Sequence, residues 1–447
     1  MFQENKIASL ALTLMFEGKK NLYVTGDAGT GKSTLLKHFL EQVKKKVSIL
    51  APTGMAAINV GGETIHSFCR FGTEPGWELL EQGKIHKLKD NRRVKGIDIL
   101  IIDEISMVRS DMLDALDRFF RLNKEKPRIP FGGVQVIFFG DHFQLPPILK
   151  REEKEEFNTK YQSEYFFGAK CFNELNLRFI KLEHNYRQSE AEFIKLLNYF
   201  RYGIANPELI SWVNSKFLGK NLDQQNLPIT ITTINKDAAN INFTELEKLP
   251  EQELTYKASV TGIFGEELYP TEKYLILKVK AQVMFIKNDP EKRWVNGTIG
   301  VVEMLKKDTV LIRLNSKMAN TNTSKLVEVE LSTWDSFKYS FDDEKNEIVK
   351  ETVGSFVQYP LKLAWAVTIH KSQGQTFDNC IINMGRGAFI FGQTYVAFSR
   401  CRTMAGVHLA GPLKLTDVKA DPNVFAFDRA TKWNTDPNQY QQGDELL

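Results

Sequence analysis

Gly26–Ser33 reads Gly-Asp-Ala-Gly-Thr-Gly-Lys-Ser and fits the pattern Gly-x-x-x-x-Gly-Lys-Ser/Thr. An apolar run, Asn21–Thr25, comes directly before it and predicts a strand, whereas Lys32–Lys46 follows with apolar residues on one helical face. Glycines let such a loop wrap an oxyanion with successive N–H groups, and the following helix directs its positive end at the same point. A chance match is disfavoured by this strand–loop–helix context. The stretch predicts a phosphate-binding loop in an α/β fold.

A second segment predicts the other half of a site for ATP. Ile99–Ile102 is wholly aliphatic, as a strand buried on both faces would be, and Asp103 and Glu104 follow at its carboxyl end. Lys32 is predicted to reach the β- and γ-phosphates, and the Ser33 hydroxyl to hold Mg²⁺ together with Asp103. Glu104 is placed to activate the attacking water, although a solvated acidic pair is the alternative. The predicted nucleotide-binding residues of the loop are Gly26, Asp27, Ala28, Gly29, Thr30, Gly31, Lys32, Ser33 and Thr34.

The composition is that of an ordinary globular protein. At about 150 residues per domain, the 447 residues predict two to four domains. The net charge of +4 and the pI of 8.6 are compatible with a polyanionic partner but do not argue for one. No apolar run approaches the roughly 18 residues of a membrane span. Four scattered cysteines without a CxxC pair indicate neither a zinc site nor a disulfide framework. A reducing compartment is therefore expected, cytoplasmic or nuclear, with no targeting segment recognised.

Alternating apolar and helical runs predict an α/β fold with parallel sheets. Further strands of the first half are predicted at Val47–Ala51, Ile97–Ile102, Val134–Phe139 and Phe179–Leu182. A polar break at about 69–95 predicts a small insertion, and the charged run Lys150–Glu156 predicts a solvated loop.

The second half begins with the same alternation and then changes. Pro228–Thr233 predicts a strand and Lys236–Phe243 a helix, whereas the β-rich runs that follow predict a small inserted barrel. The tail after Trp433 is predicted to be loose. The predicted domains are 1–187, then 188–253 together with 360–447, and the insertion 254–359.

Gly140–Pro147 carries Gln144, which can sense a γ-phosphate, in a loop that two prolines stiffen. This signal is weak alone, but together with the other motifs it resembles the Pif1 family of superfamily 1 helicases. The segments that carry the resemblance run in the expected order and span most of the chain: Ala51–Ala57, Gly61–Phe68, Asp103–Met107, Met112–Pro147, Asn185–Gln188, Ala281–Gly300, Thr368–Thr376 and Gln393–Arg400.

The resemblance implies two RecA-like domains, with a wedge insertion in the first and an SH3-like β insertion in the second. It implies an ATP-dependent helicase that moves 5′ to 3′ on single-stranded DNA and unwinds duplex junctions, G-quadruplexes or RNA–DNA hybrids as a monomer. DNA repair, recombination and telomere maintenance are the implied roles. Arg187 and Arg400 would meet the γ-phosphate from the two sides of a cleft, near Gly374, so that closure completes the site. Surface ion pairs are the alternative for both arginines.

The same resemblance places single-strand contacts on loops at the top of both sheets. Polar side chains there suit phosphate and sugar contacts, although an isolated histidine is more often structural. Phe68, Phe71 and Trp77 are candidates for base stacking or for a wedge at the fork, with a place in the core as the alternative. The predicted DNA-binding residues are Thr53, Gly54, His66, Ser67, Phe68, His370, Lys371, Ser372 and Gln373.

One position departs from the family pattern. An upstream glutamine usually reads adenine, and here Gln3 is the only glutamine before Gly26, at a longer spacing. Three alternatives remain. A RecD-type or conjugative-relaxase-type helicase is disfavoured by Phe131–Pro147. A P-loop kinase or small-molecule NTPase would not need a second α/β unit with Arg400, and a non-enzymatic nucleic-acid binder would not need the complete phosphate and carboxylate set.

Overall fold

The computed structural model describes residues 5–72, 74–219, 227–314, 325–342 and 347–433. Its helices are α1 Lys6–Glu17, α2 Lys32–Gln42, α3 Gly54–Val60, α4 Ile65–Cys69, α5 Gly76–Glu81, α6 Arg92–Lys95, α7 Ser110–Asn123, α8 Lys154–Lys160, α9 Ala191–Arg201, α10 Pro207–Phe217, α11 Asn235–Glu247, α12 Gln393–Ser399 and α13 Pro422–Ala430. Its strands are β1 Leu22–Gly26, β2 Val47–Ala51, β3 Glu63–Thr64, β4 Ile99–Ile102, β5 Gln135–Phe139, β6 Arg178–Leu182, β7 Ile229–Thr232, β8 Leu254–Lys257, β9 Ser259–Gly262, β10 Tyr274–Leu277, β11 Gln282–Phe285, β12 Ile299–Leu305, β13 Val310–Leu314, β14 Leu326–Val329, β15 Ser332–Asp342, β16 Glu347–Gln358, β17 Leu361–Leu363, β18 Ala366–Thr368, β19 Cys380–Asn383 and β20 Val407–Leu409. Within these ranges no helix has both the length and the apolar character needed to cross a bilayer.

Six parallel strands form the first sheet, in the order β3-β2-β4-β5-β1-β6. Every residue of β1, β4 and β5 is buried, because helices α1 and α2 cover one face and α7 covers the other. These three strands are neighbours and run in one direction. The loops that follow Gly26, Ile102 and Phe139 therefore meet at one edge of the sheet.

Four parallel strands form the second sheet, in the order β18-β7-β19-β20. Its core includes Phe193 of α9, Phe217 of α10 and Phe398 of α12. The segment after β18 and the end of α12 lie together, since Arg400 donates to the Ser372 carbonyl oxygen. The predicted α/β class with two parallel sheets is confirmed.

Antiparallel strands form the insertion that was predicted for 254–359. One sheet has the order β14-β13-β12-β11-β17, β8 pairs with β10, and the hairpin of β15 and β16 pairs with β9. The β character of the insertion is confirmed, but its predicted end at residue 359 is too early. β17 still pairs with β11, so the chain rejoins the parallel sheet only at β18.

Two local predictions of the first domain are wrong. Helix α2 ends at Gln42 rather than Lys46, because Val43 has extended backbone angles. The charged run Lys150–Glu156 is not a loop throughout, since α8 begins at Lys154. Phe157 of that helix is buried against Trp77 and Tyr161. One apolar anchor thus holds an otherwise charged segment on the domain.

The last described residues cross back to the first domain. Phe427 of α13 stacks on Phe167 with ring centroids 4.3 Å apart, and Trp433 stacks on His142 at 5.7 Å. His142 is also hydrogen-bonded to Asp428 at 3.1 Å. Assignment of all of 360–447 to the second domain is therefore wrong for α13 and the residues up to Trp433. The predicted loose tail lies outside the described residues.

Candidate nucleotide cleft and nucleic-acid interface

Lys32 lies over the phosphate-binding loop between β1 and α2. Its Nζ donates to the carbonyl oxygens of Gly26 at 2.7 Å and Asp27 at 3.0 Å. Burial lowers the pKa of Lys32, while the nearby carboxylates of Asp141 and Glu104 oppose that shift. The ammonium and the amino-terminal end of α2 are thus directed at the same point, an arrangement that suits phosphate.

The segment Asn185–Gln188 is fastened to this loop at Gly29. The backbone N–H of Tyr186 donates to the Gly29 carbonyl at 2.8 Å, and the Asn185 side chain donates to the Ala28 carbonyl at 3.1 Å. Gly29 has a φ of 90°, and a Cβ there would lie 2.6 Å from the Cβ of Arg187. Only glycine permits this approach, which keeps Arg187 beside the loop.

Asp103 and Glu104 follow β4 at the same edge of the sheet. Glu104 has a φ of 50°, a conformation that is uncommon outside glycine and is often found at functional sites. Burial and the neighbouring Glu104 carboxylate raise the pKa of Asp103 to about 7. Burial also raises the pKa of Glu104, against the effect of Lys32 and Arg400. The two half-buried carboxylates are therefore close enough to share a site that a cation would stabilise.

The donor set at this edge fits Mg²⁺ bound together with phosphate. In the described part of the chain, no three His, Cys, Asp or Glu side chains form a metal cage. Mg²⁺ does not need one, because it usually takes one or two carboxylates beside water and phosphate oxygens. Ser33, exposed at the start of α2, and Asp103 supply a hydroxyl and a carboxylate of that kind.

Two arginines bring positive charge to the cleft, Arg400 from the second domain and Arg187 from beside the phosphate-binding loop. Arg400 is 2% exposed, and it donates to the carbonyls of Ser372 at 3.3 Å and Gln375 at 3.4 Å. Arg187 donates to the Ser399 carbonyl at 3.2 Å. Burial and the neighbouring Arg400 lower the pKa of Arg187 to about 9, and burial lowers that of Arg400. Among the described residues neither arginine forms an ion pair, so both are available to an anion in the cleft.

These elements enclose one cleft of about 610 Å³. It brings together most of the residues predicted to bind nucleotide or Mg²⁺, whereas Gly26, Asp27 and Asp103 are not among the residues that line it. Gln144 reaches the cleft although it is buried, and its Nε2 donates to Asp141 at 3.3 Å. The predicted residues that line the cleft are Ala28, Gly29, Thr30, Gly31, Lys32, Ser33, Thr34, Glu104, Gln144, Arg187, Gly374 and Arg400.

Three residues of the cleft wall were not predicted from the sequence: Tyr186, Thr376 and Arg402. The Tyr186 ring is 40% exposed and lies against the loop, since a Cβ on Gly31 would meet it at 3.3 Å. Its position next to Arg187 in the motif Asn185–Gln188 was the signal that could have revealed it. Gln3, the candidate reader of adenine, lies outside the described residues.

Residues predicted to contact DNA in the first domain border two cavities. Thr53 and His66 line a cavity of about 320 Å³ beside the insertion. Gly54 and Ser67 line another, of about 340 Å³, that faces Trp334 of the antiparallel insertion. Burial lowers the pKa of His66, so its imidazole is neutral near pH 7. Of these four residues, Gly54 and Ser67 face the β insertion, whereas Thr53 and His66 face residues of the first domain only.

The loop after β18 carries the corresponding residues of the second domain. His370 and Gln373 are half-buried, and within the described structure the Nε2 atom of each has no hydrogen-bond partner. Burial also lowers the pKa of His370. Lys371 is exposed next to them. Unpartnered polar atoms of this kind are unusual in a folded protein, and a water or a ligand would supply the partner.

A family profile of PIF1-like helicases matches residues 3–208. The ATP-dependent DNA helicase Pif1 of Bdellovibrio bacteriovorus is 31% identical to this chain over 93% of the chain and 90% of that protein. The chain belongs to the PIF1-like helicase family. This result disfavours a kinase, a small-molecule NTPase and a non-enzymatic binder.

Solved Pif1 structures share the whole architecture of this family member. The structure of Bacteroides sp Pif1 with ADP-AlF4 has a TM-score of 0.82 at 36% identity, covering 95% of this chain and 96% of that one. The Bacteroides Pif1 complex with ADP-AlF3 and single-stranded DNA has the same identity and coverage but a TM-score of 0.69. This Pif1-family chain is therefore more similar in structure to the ADP-AlF4 complex than to the complex with single-stranded DNA.

Three predictions about DNA-contacting side chains are contradicted, because the side chains are buried. Phe68 is buried in the core of the first domain, where it stacks on Phe120 with centroids 5.8 Å apart. Ser372 is fully buried, and its hydroxyl donates to the Ile369 carbonyl at 2.8 Å. Trp77 is likewise buried, so it does not present a stacking face. An aromatic ring can pack in a protein core as well as stack on a nucleic-acid base, and here Phe68 and Trp77 both pack inside the protein.

Proposed function

We propose that this chain hydrolyses ATP with Mg²⁺ and uses the cycle to move 5′ to 3′ along single-stranded DNA and to unwind duplexes. The observation that carries the proposal is the division of the cleft between the two parallel sheets. The first domain supplies the phosphate-binding loop, Glu104 and Gln144, whereas the second supplies Gly374 and Arg400. A nucleotide in the cleft touches both domains, so its hydrolysis changes how strongly they are held together.

The first domain is proposed to supply most of the chemistry. Lys32 donates to the β- and γ-phosphate oxygens in place of its own loop carbonyls. Ser33 and Asp103 hold Mg²⁺, which when bound neutralises phosphate charge. Glu104 accepts a proton from the attacking water, a role that its raised pKa favours. Gln144 reports the γ-phosphate to its own loop.

The second domain is proposed to link charge stabilisation to DNA binding. Arg400, together with Arg187 of the first domain, stabilises the negative charge on the transferred phosphoryl group. Arg400 also donates to the carbonyls of Ser372 and Gln375, in the loop that carries His370. A shift of Arg400 toward the phosphate would therefore change the conformation of the loop that is proposed to bind the DNA strand.

The strand is proposed to run over the loops at the top of both domains. Thr53, Gly54, His66 and Ser67 contact it on the first domain. On the second domain His370, Lys371 and Gln373 do so. The insertion at 69–95 borders the same cavity as Thr53 and His66, and we assign it to the duplex fork. G-quadruplexes and RNA–DNA hybrids are proposed as further substrates, and a monomer as the solution state.

The deciding experiment is the steady-state ATPase rate with and without oligo-dT at two salt concentrations. Strong stimulation by single strands, weakened by salt as counterion release requires, is expected. The Lys32→Ala variant serves as the control and should be inactive. On tailed duplexes, unwinding is expected with a 5′ tail and not with a 3′ tail. An ATPase rate indifferent to DNA contradicts the helicase proposal, and unwinding from a 3′ tail contradicts the polarity.

Tyr186 is proposed to stack on the nucleobase. Stacking contributes about 1–3 kcal/mol, so Tyr186→Ala should raise the KM for ATP about tenfold, with kcat changed less than about threefold. Tyr186→Phe keeps the ring and should retain the original KM. Because every base has a π-face, the ratio of KM values for ATP and GTP should stay constant. An unchanged KM for ATP in the alanine variant would contradict the proposed stacking of Tyr186 on the nucleobase.

A further inference from the structure

A buried arginine outside every predicted motif joins the two domains beneath the cleft. Arg201 is the last residue of α9, whose Phe193 and Phe200 belong to the core of the second domain. Its side chain is fully buried, yet its guanidinium pairs with two carboxylates of the first domain. Nη1 lies 3.2 Å from Asp27 Oδ1, and Nη2 lies 3.0 Å from Asp141 Oδ1.

A second cross-domain contact converges on the same aspartate. The hydroxyl of Tyr395, on α12, donates to Asp141 Oδ2 at 3.0 Å and accepts from the backbone N–H of Ala28 at 2.8 Å. Gln144 donates to that same Oδ2 atom at 3.3 Å. Although burial alone would raise it, Arg201 and Lys32 hold the pKa of Asp141 below its ordinary value. Asp141 is therefore an ionised carboxylate whose hydrogen-bond and ion-pair partners come from both domains.

The two carboxylates that pair with Arg201 lie in the two loops that are proposed to contact the γ-phosphate. Asp27 belongs to the phosphate-binding loop, and Asp141 begins the loop that ends at Gln144. The packing beside them is close, because a Cβ on Gly392 would lie 2.7 Å from the carbonyl oxygens of Phe143 and Gln144. A planar guanidinium can bind two carboxylates with fixed geometry, which an ammonium cannot.

Opening of the cleft would separate this arrangement. A buried charge that loses its partner is strongly destabilised, so the Arg201 pairs favour the arrangement of this structure, in which the domains are in contact beneath the cleft, over more open ones. An ordinary structural ion pair would stabilise one domain, whereas both pairs of Arg201 cross between domains. The contacts thus connect domain closure with the position of Gln144.

We infer that Arg201 is a positioning residue, which through Asp141 and Tyr395 sets Gln144 and the phosphate-binding loop for hydrolysis only when the domains are closed. The inference rests on the proposed function, since it assumes that hydrolysis requires closure. Arg201 itself touches no reacting atom. Its loss should therefore lower kcat and leave ATP binding largely intact.

The test compares Arg201→Met with Arg121→Met in the full chain. Arg121 is a matched control, because it too bridges two carboxylates, Asp117 and Glu174, but within the first domain. Since small misplacements at a catalytic site cost about 100-fold, Arg201→Met should lower the DNA-stimulated kcat by that factor, with KM for ATP within about threefold. Arg201→Lys should recover only part of the loss. Arg121→Met should keep the original kcat.

A second variant covers the case in which Arg201→Met does not fold, as judged by thermal melting. Tyr395→Phe removes one hydroxyl and leaves no buried charge without a partner, because Arg201 still pairs with Asp141. The loss of the hydrogen bonds of that hydroxyl should lower kcat about tenfold at constant KM. A kcat within about twofold of the original, in this variant or in a folded Arg201→Met, overturns the inference, as does a loss confined to KM. If the unaltered protein shows no stimulation by DNA, the proposed function itself has failed.

Discussion

Glu104→Gln is expected to lower the DNA-stimulated kcat about a thousandfold, because proton transfer by a positioned base contributes on this scale. The amide has nearly the shape of the carboxylate but cannot accept the proton of the attacking water. Glu104 is well placed for the role, since burial raises its pKa, which favours acceptance of a proton, while Lys32 and Arg400 oppose that shift. Steady-state ATPase assays with oligo-dT measure the loss. Binding of a non-hydrolysable ATP analogue should remain within about threefold, since the lost interaction acts mainly in the transition state.

A suitable control is Glu245→Gln. Glu245 lies on α11, away from the cleft, and pairs with Lys248 at 2.7 Å. Exposed pairs of this kind contribute little, so both kcat and stability should be retained. If Glu104→Gln kept more than about a tenth of the original kcat, the water-activating role would have to be assigned to another group.

Arg400→Lys is expected to lower kcat about a thousandfold, as removal of a transition-state arginine does in related phosphoryl transfers. Lysine keeps the charge but not the planar fork. The guanidinium donates hydrogen bonds to the Val396 carbonyl, the Ser399 hydroxyl and two carbonyls of the loop after β18 at the same time. One ammonium cannot replace that set while also reaching a phosphate. ATPase rates measured with and without oligo-dT should show that stimulation by DNA is lost together with kcat.

The control for this change is Arg121→Lys, at a partly buried ion pair within the first domain. Thermal melting of both variants separates misfolding from a loss of chemistry. A folded Arg400→Lys protein with kcat within about tenfold of the original would contradict the assignment. Retained stimulation by DNA with reduced kcat would show that the arginine acts on the phosphate alone and does not pass the signal to the loop.

The phosphate site could be predicted from sequence because its determinants are local. The glycines of Gly26–Ser33 permit the backbone conformation of the loop. Asp103 and Glu104 directly follow the aliphatic strand β4, so the chain itself places them at its carboxyl end. The β insertion was recognisable for a similar reason, since strand periodicity is a property of each short segment. The boundaries were less certain. The end of the insertion was misplaced because β17 is assigned by its pairing with β11, which a single segment does not reveal.

Burial of individual side chains was decided by tertiary packing. Phe68 and Trp77 are aromatic residues in polar surroundings, a pattern equally compatible with a stacking face and a core position. Their neighbours Phe120 and Phe157 lie 52 and 80 residues further along the chain, and those contacts place both rings inside. The charged run Lys150–Glu156 became partly helical for the same reason, since Phe157 anchors it.

Sequence alone determined the class of this protein, its two parallel sheets and the chemistry of its phosphate site, because each follows from a short contiguous pattern. Tertiary structure alone decided how the domains are joined. Arg201 reaches Asp27 and Asp141 across 174 and 60 residues of chain, and α13 returns to the first domain across 260 residues, from Phe427 to Phe167. No local pattern encodes such contacts. They form because a buried charge is stable only beside an opposite charge, and an apolar helix face is stable only when it is packed against other apolar residues. Those partners can come from any part of the chain.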